Sequence, residues 1–142
     1  MYVADILRMK GDNVISLNAG ENVKAAVKLM ADHQIGAVLI RDAIGGIAGI
    51  LSERDVVRAL SQHGDDMLKK PVAELMTAEV VTCSPRDPVA GIMAMMTAHR
   101  FRHVPVVEQG QIVGMISIGD VVKNRIEEAQ AEVDALRRYI AL

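Results

Sequence analysis

Two short strings carry most of the polar chemistry in this chain. Ser52-Glu53-Arg54-Asp55 and Ser117-Ile118-Gly119-Asp120 are each preceded by a strand-like apolar run and followed by Val-Val. A hydroxyl three residues ahead of a carboxylate is the pattern of a helix start. There the serine caps free amide groups and the aspartate complements the positive end of the helix dipole. The spacing alone supports that capping use in both copies. Arg54 has no counterpart in the second string, where Gly119 stands. It suits a solvated helix face, and equally a two-pronged contact to phosphate. Arg100, Arg102 and His103 form a second cationic cluster, whose equivalents earlier in the chain are Gln34, Gly36 and Ala37. His33 and His99 sit at matching helix ends, where histidine meets the negative pole of the dipole. Cys83 lacks a second thiol or histidine at metal-ligand spacing, and Met93-Ala94-Met95-Met96 reads as helical core filler.

These residues sit inside a sequence that repeats itself. At a constant offset Val14, Ser16, Val23, Met30, His33 and Val38 match Val80, Thr82, Val89, Met96, His99 and Val104. One residue drops out near Ala43–Ile44, after which Ile47, Gly49, Ser52, Asp55, Val56 and Val57 match Ile112, Gly114, Ser117, Asp120, Val121 and Val122. The lead-ins agree as well: Val3-Ala4-Asp5-Ile6-Leu7 against Val72-Ala73-Glu74-Leu75-Met76. Two copies imply a pseudo-twofold module with matching clefts, not a solenoid.

Hydrophobic periodicity supplies the elements. The first copy reads as an entry helix over Met1–Arg8, a strand over Val14–Leu17, a helix over Glu21–His33, a buried strand over Ala37–Arg41, a turn at Gly45-Gly46, a strand over Ile47–Leu51 and a helix over Arg54–His63. The second reads as Val72–Met76, Val80–Cys83, Pro88–His99, His103–Val107, a turn at Gly110, Ile112–Ile116 and a helix from Asp120 onward. Each repeat is β-α-β-β-α, giving a mixed α/β (α+β) fold. The expected boundaries are residues 1–68, 69–125 and a C-terminal helical extension over 126–142. In that extension Ile126, Ala129, Val133, Leu136 and Ile140 make an a/d-like stripe too short for a free coiled coil. It must pack on the chain's own body or on a second copy.

Composition excludes several classes. With 51% hydrophobic and 24% charged residues the chain is ordinary for a globular protein. It has no Trp, one Phe and two Tyr, leaving almost nothing to stack on bases, and its formal charge of −2 lacks the basic footprint of a nucleic-acid binder. A single cysteine is consistent with a reducing compartment. Neither a leader pattern nor a run of about 18 apolar residues is present. A cytoplasmic protein without membrane contact is the expectation.

Gly49-Ile-Leu-Ser-Glu-Arg-Asp-Val-Val57 and Gly114-Met-Ile-Ser-Ile-Gly-Asp-Val-Val122, with Arg102-His103-Val104-Pro105-Val106, resemble the signatures of the CBS domain. This is the cystathionine-β-synthase-type module that occurs in tandem pairs. The resemblance covers residues 1–125 and is that of a stand-alone bacterial CBS pair. It implies that Asp55 and Asp120 accept the ribose hydroxyls of an adenosyl ligand, while Ser52, Ser117 and the helix-start amides face phosphate. A serine hydroxyl can cap and bind at once. The short first strands, with Ser16 and Thr82, would contact adenine through apolar walls and backbone amides. In the family the second strand of one repeat faces the Ser-x-x-Asp turn of the other, which would direct Arg102 and His103 toward Ser52, Arg54 and Asp55. Ser117 and Asp120 would then stand in the cleft poorer in cations.

The function so implied is a regulatory sensor of adenosine compounds: AMP first, then ADP, ATP, NAD(H) or S-adenosylmethionine. Its two clefts would be unequal, and it would signal by ligand-dependent rearrangement to an unidentified target protein. No cofactor is required. The resemblance also implies a homodimer with the apolar helices of each repeat at its seam. The competing reading is a ligand-free interaction protein acting through dimerisation and the C-terminal helix. An enzyme is disfavoured, because no activated nucleophile, metal-ligand set or acid/base pair is evident.

Overall fold

Continuous apolar runs must be covered on both faces, and Ala37–Arg41 is the clearest such run in the chain. The computed structural model describes residues 1–141. In it Ala37–Arg41 forms a strand (β2) whose first four residues are buried. It lies between Ser16–Asn18 (β1), to which it is parallel, and Ile47–Ser52 (β3), to which it is antiparallel. Helices Val23–His33 (α2) and Glu53–His63 (α3) complete the repeat. In the second copy Val89–His99 (α4) precedes the hairpin His103–Glu108 (β4) and Gln111–Ser117 (β5). Its two-residue turn, Gln109-Gly110, has positive φ at both positions, as a hairpin with right-handed strand twist requires. Val3–Lys10 (α1) opens the chain and Ile118–Ala141 (α5) closes it. Leu142, the last residue of the expected extension, lies outside the described residues.

The two lead-ins differ from each other. Α1 runs for eight residues, its start tied by the Asp5 carboxylate accepting from the Tyr2 amide at 2.8 Å. The expected helix over Val72–Met76 is only a 3-10 turn, Val72–Glu74. Beyond it Thr77 leaves the helical path and exchanges backbone hydrogen bonds with Ile50 at 2.9 and 3.0 Å.

The expected strand over Val80–Cys83 also shrinks, to a single parallel bridge between Cys83 and Val106. In the first repeat the Leu39 amide donates to the Ile15 carbonyl at 3.1 Å, which ties β1 to the sheet. Pro105 stands at the equivalent position and has no N–H to give, so the ladder is lost there. Only the bonds on either side of Cys83 remain, to the Pro105 carbonyl and from the Val107 amide, at 3.0 and 2.8 Å. Cys83 itself is buried, and burial with the nearby Asp87 charge pushes its thiol up to about 12, leaving it protonated and unreactive.

Packing divides the chain into two units that do not follow the repeat boundaries. One comprises Asn13–Val81, the other Met1–Asp12 with Thr82–Leu142. Each has its own apolar core, and the two cores are copies. Val23, Ala26, Met30, Val38, Ile40, Leu51 and Val56 in one correspond to Val89, Ile92, Met96, Val104, Val106, Ile116 and Val121 in the other. The lead-ins are exchanged. Val72, which introduces the second repeat, completes the core of the first, and Val3, which introduces the first, completes that of the second. Both valines are fully buried.

The glycine of each signature string exists for this docking. A Cβ at Gly49 would lie 2.7 Å from the Thr77 carbonyl oxygen and from Met76 Sδ; one at Gly114 would lie 2.6 Å from Leu7 Cδ2. We expect Gly49→Ala to lower unfolding free energy by about 1–3 kcal/mol, the range for overpacking a close contact. Gly114→Ala should cost less, because the end of Leu7 can rotate whereas the Thr77 backbone cannot. Urea denaturation of the two variants checks the order.

Candidate functional site

Each Ser-x-x-Asp string forms the same closed turn at a strand-to-helix junction. Before α3, the Asp55 carboxylate accepts from the Ser52 amide and from the Ser52 hydroxyl, both at 2.9 Å, while Ser52 Oγ accepts from the Asp55 amide at 3.3 Å. Before α5, Asp120 Oδ2 accepts from the Ser117 amide at 2.8 Å and its hydroxyl at 3.0 Å, with the return bond at 3.2 Å. The capping use read from the spacing is therefore present in both copies. All four residues are half-buried, so the turns remain open to solvent on one side. These bonds fall on Oδ2 alone, leaving the second carboxylate oxygen of each aspartate unengaged among the described residues.

The residue that leads into the neighbouring strand, β2 or β4, is tied to each turn by one further bond. The first amide of α3, on Glu53, donates to the Gly36 carbonyl at 2.9 Å; the first amide of α5, on Ile118, donates to the Arg102 carbonyl at 2.8 Å. Within its own unit the Arg102-His103 segment thus lies beside Ser117, and His103 pairs directly with Ser117 in the β4–β5 ladder. Arg102 and Arg54 are exposed cations with no side-chain partner among the described residues; His103 is half-buried.

Of the first-strand residues, Ser16 is half-buried on β1 and its hydroxyl accepts from Arg41 Nε at 3.1 Å. Thr82 is exposed and lies outside any strand, one residue before the Cys83 bridge. Arg41 was not singled out from the sequence. The signal for it was the lone cation closing an apolar strand, with Val107 at the matching position.

Lys10 is the more consequential omission. From the end of α1 its ammonium donates to Asp120 Oδ2 at 2.7 Å and to the Met115 carbonyl at 2.9 Å. The Ser117/Asp120 turn thus has a cation of its own, which 110 residues of sequence separation concealed. Burial pushes the Asp120 carboxyl up, but the Lys10 and Ser117 hydrogen bonds and the Lys10 charge together outweigh it and hold the group below its ordinary value. No ion pair reaches Asp55 among the described residues.

On the helical side of the first unit, an apolar groove of about 540 Å³ runs between α2 and α3, with Val27, Met30, Ile35, Val57 and Leu60 among its lining residues. Neither Ser52 nor Asp55 lines it. Among the described residues no group of three or more His, Cys, Asp or Glu could hold a metal, and no helix is long and apolar enough to cross a membrane.

Two repeats, β-α-β-β-α in the first and α-β-β-α with a single bridge in place of the first strand in the second, each carry a Ser-x-x-Asp turn and define a tandem-repeat α/β fold. The chain belongs to the CBS domain family, whose pattern matches residues 3–62 and 72–127. It is 32% identical over 146 aligned residues to the mitochondrial CBS domain-containing protein CBSX3 of Arabidopsis thaliana, covering 97% of this chain and 71% of the relative. Among solved structures, the CBS-domain containing protein ATU1752 of Agrobacterium tumefaciens is 42% identical with a TM-score of 0.85, covering 87% of this chain and 92% of that one. The CBS pair of protein MJ0100, in complex with 5′-methylthioadenosine and S-adenosyl-L-methionine, is 26% identical with a TM-score of 0.80, covering 90% and 98%. The Pyrobaculum aerophilum CBS protein PAE2072, complexed with AMP, is 26% identical with a TM-score of 0.76, covering 84% and 89%.

The Lys10–Asp120 pair fixes a pH response. A carboxyl held below its unfolded value stabilises the fold above that unfolded value, and the contribution disappears as pH falls through the folded one. Lys10→Met should therefore raise the Asp120 carboxyl midpoint followed by NMR. The stability difference between wild type and variant should be full at neutral pH and vanish in acid.

Proposed function

We propose that this protein is a non-catalytic cytoplasmic sensor that binds adenosine-containing ligands at its Ser-x-x-Asp turns and signals their presence to a partner protein. The observation that carries this reading is the pair of half-open turns, each offering an aspartate oxygen with no donor among the described residues, in a fold shared with CBS pairs complexed with AMP, 5′-methylthioadenosine and S-adenosylmethionine. Asp55 and Asp120 take the ribose hydroxyls as acceptors. Ser52 and Ser117, with the first amides of α3 and α5, suit phosphate or another acceptor. Arg54, Arg102 and His103 supply cationic or polar contacts to phosphate. Ser16 and Thr82 border the adenine through backbone groups. AMP is the first ligand to try, followed by ADP, ATP, NADH and S-adenosylmethionine. Binding signals by favouring one arrangement of the protein over another.

The exposed C-terminal half of α5 supports a second reading, that dimerisation is itself the function. Ile126, Leu136 and Ile140 are 63%, 60% and 78% exposed, so the stripe is not covered by the chain's own body. We infer a second copy of this chain as its occupant. Two such helices side by side in parallel would bring Glu132 of one beside Arg137 of the other, at the flanking positions where coiled-coil partners exchange charge.

Because the protein has no Trp and only two Tyr, co-purified nucleotide would dominate its ultraviolet spectrum. Titration calorimetry should detect AMP binding that Asp55→Ala with Asp120→Ala abolishes while the thermal transition of the unliganded protein is retained. No binding and no thermal shift with any of the five ligands would leave the interaction reading. Light scattering should give a dimer for the wild type, and Leu136→Glu with Ile140→Glu should shift it to monomer.

A further inference from the structure

The two turns share the Ser-x-x-Asp pattern and the same internal hydrogen bonds, yet among the described residues only the second is occupied by a cation. Asp120 Oδ2 accepts three donors: the Ser117 amide, the Ser117 hydroxyl and the Lys10 ammonium, at 2.8, 3.0 and 2.7 Å. Asp55 Oδ2 accepts two, both from Ser52. A carboxylate offers about four acceptor positions, roughly two on each oxygen, so the two serine donors already fill Oδ2 in both turns and the Lys10 ammonium at Asp120 is one donor more. A cis-diol grips a carboxylate best by giving one proton to each oxygen. At Asp55 a diol has only the Ser52 bonds to compete with, whereas at Asp120 it must displace the Lys10 ammonium as well.

The difference is built into the exchanged lead-ins. Counting along them from Val3 and Val72, Lys10 corresponds to Glu79, so the charge is reversed. The backbone acceptors correspond too: Lys10 caps the Met115 carbonyl, whereas the equivalent Ile50 carbonyl is taken by the Thr77 amide at 2.9 Å. In one unit a main-chain bridge fastens the lead-in and leaves the aspartate alone. In the other a lysine side chain does the fastening and takes the aspartate as well. The lysine is 37% exposed and reaches the carboxylate from a flexible stem, so a ligand can displace it without moving α1.

We propose that Lys10 is a specificity-determining residue that latches the Asp120 turn against ribose diols, so that a ligand occupies this turn only by displacing the ammonium, while the Asp55 turn stands open. The inference deepens the adenosyl-binding reading and rests on it. The predicted inequality of the two sites then comes from a competitor placed at Asp120, and not from a shortage of cations there.

Adenosine is the appropriate probe, because it carries the diol without charge. Calorimetry on Asp55→Ala protein, in which only the Asp120 turn remains, is compared with the same protein carrying Lys10→Met. The expected result is about 3- to 10-fold tighter adenosine binding on loss of the lysine, the scale of one net hydrogen bond. The gain should be absent with 2′-deoxyadenosine and absent from Lys10→Arg, which keeps the cation. Raising salt should tighten adenosine binding to the lysine-containing protein and leave the methionine variant unchanged. Binding detected only after Lys10→Met supports the latch equally. Unchanged or weaker binding in the methionine variant, or no binding in either Asp55→Ala protein while the wild type binds, overturns it. If wild-type protein binds neither adenosine nor AMP, the adenosyl reading itself falls. Thermal denaturation of the unliganded variants shows that α1 remains docked.

Discussion

The burial of one valine from each lead-in is the contact on which the rest of this structure depends. Val3 and Val72 are fully enclosed, and each completes the core of the repeat it does not introduce. Without them each sheet would present an apolar face to water, since a two- or three-stranded sheet with two helices has little core to spare. The docking in turn demands a close backbone approach, which Gly49 and Gly114 permit. Those glycines open the strings that end in Ser-x-x-Asp. One short segment therefore carries both the seat for a lead-in and the cap of the following helix, and a change at the seat is felt at the polar turn only a few residues away.

That coupling explains why the two turns are chemically distinct despite their likeness. The internal bonds are local, three residues apart, and the same in both copies. What distinguishes them arrives from the lead-ins, where no local rule keeps the copies alike. One lead-in continues as a helix to Lys10; the other breaks after Glu74 and pairs its backbone at Thr77. Repeats retain what their own hydrogen bonding requires and diverge where a neighbouring segment can be served in more than one way.

Much of this was legible in the sequence, for identifiable reasons. The strand Ala37–Arg41 announced itself by an unbroken apolar run, α2 by helical spacing that reproduced its buried face, and α4 by its match to α2 in the repeat. The capping turns followed from residue type and spacing alone. Two elements were overread by analogy with the other copy. Val80–Cys83 looked as strand-like as Val14–Leu17, but the deciding residue was Pro105 on the neighbouring strand. Val72–Met76 matched the entry helix in pattern, yet the backbone found a better partner in Ile50. Lys10 beside Asp120 and Arg41 beside Ser16 are contacts across long separations, which periodicity does not encode. The exchange of lead-ins was invisible for the same reason: an apolar Val-Ala-x-Ile/Leu segment fits either core equally well.

That exchange has a consequence for how the chain can be divided. Each repeat lends its lead-in to the other's core, so neither body is closed by the stretch of sequence that repeats. The natural seam of this protein is therefore not the midpoint of its sequence, since severing the chain there parts each core from its own keystone.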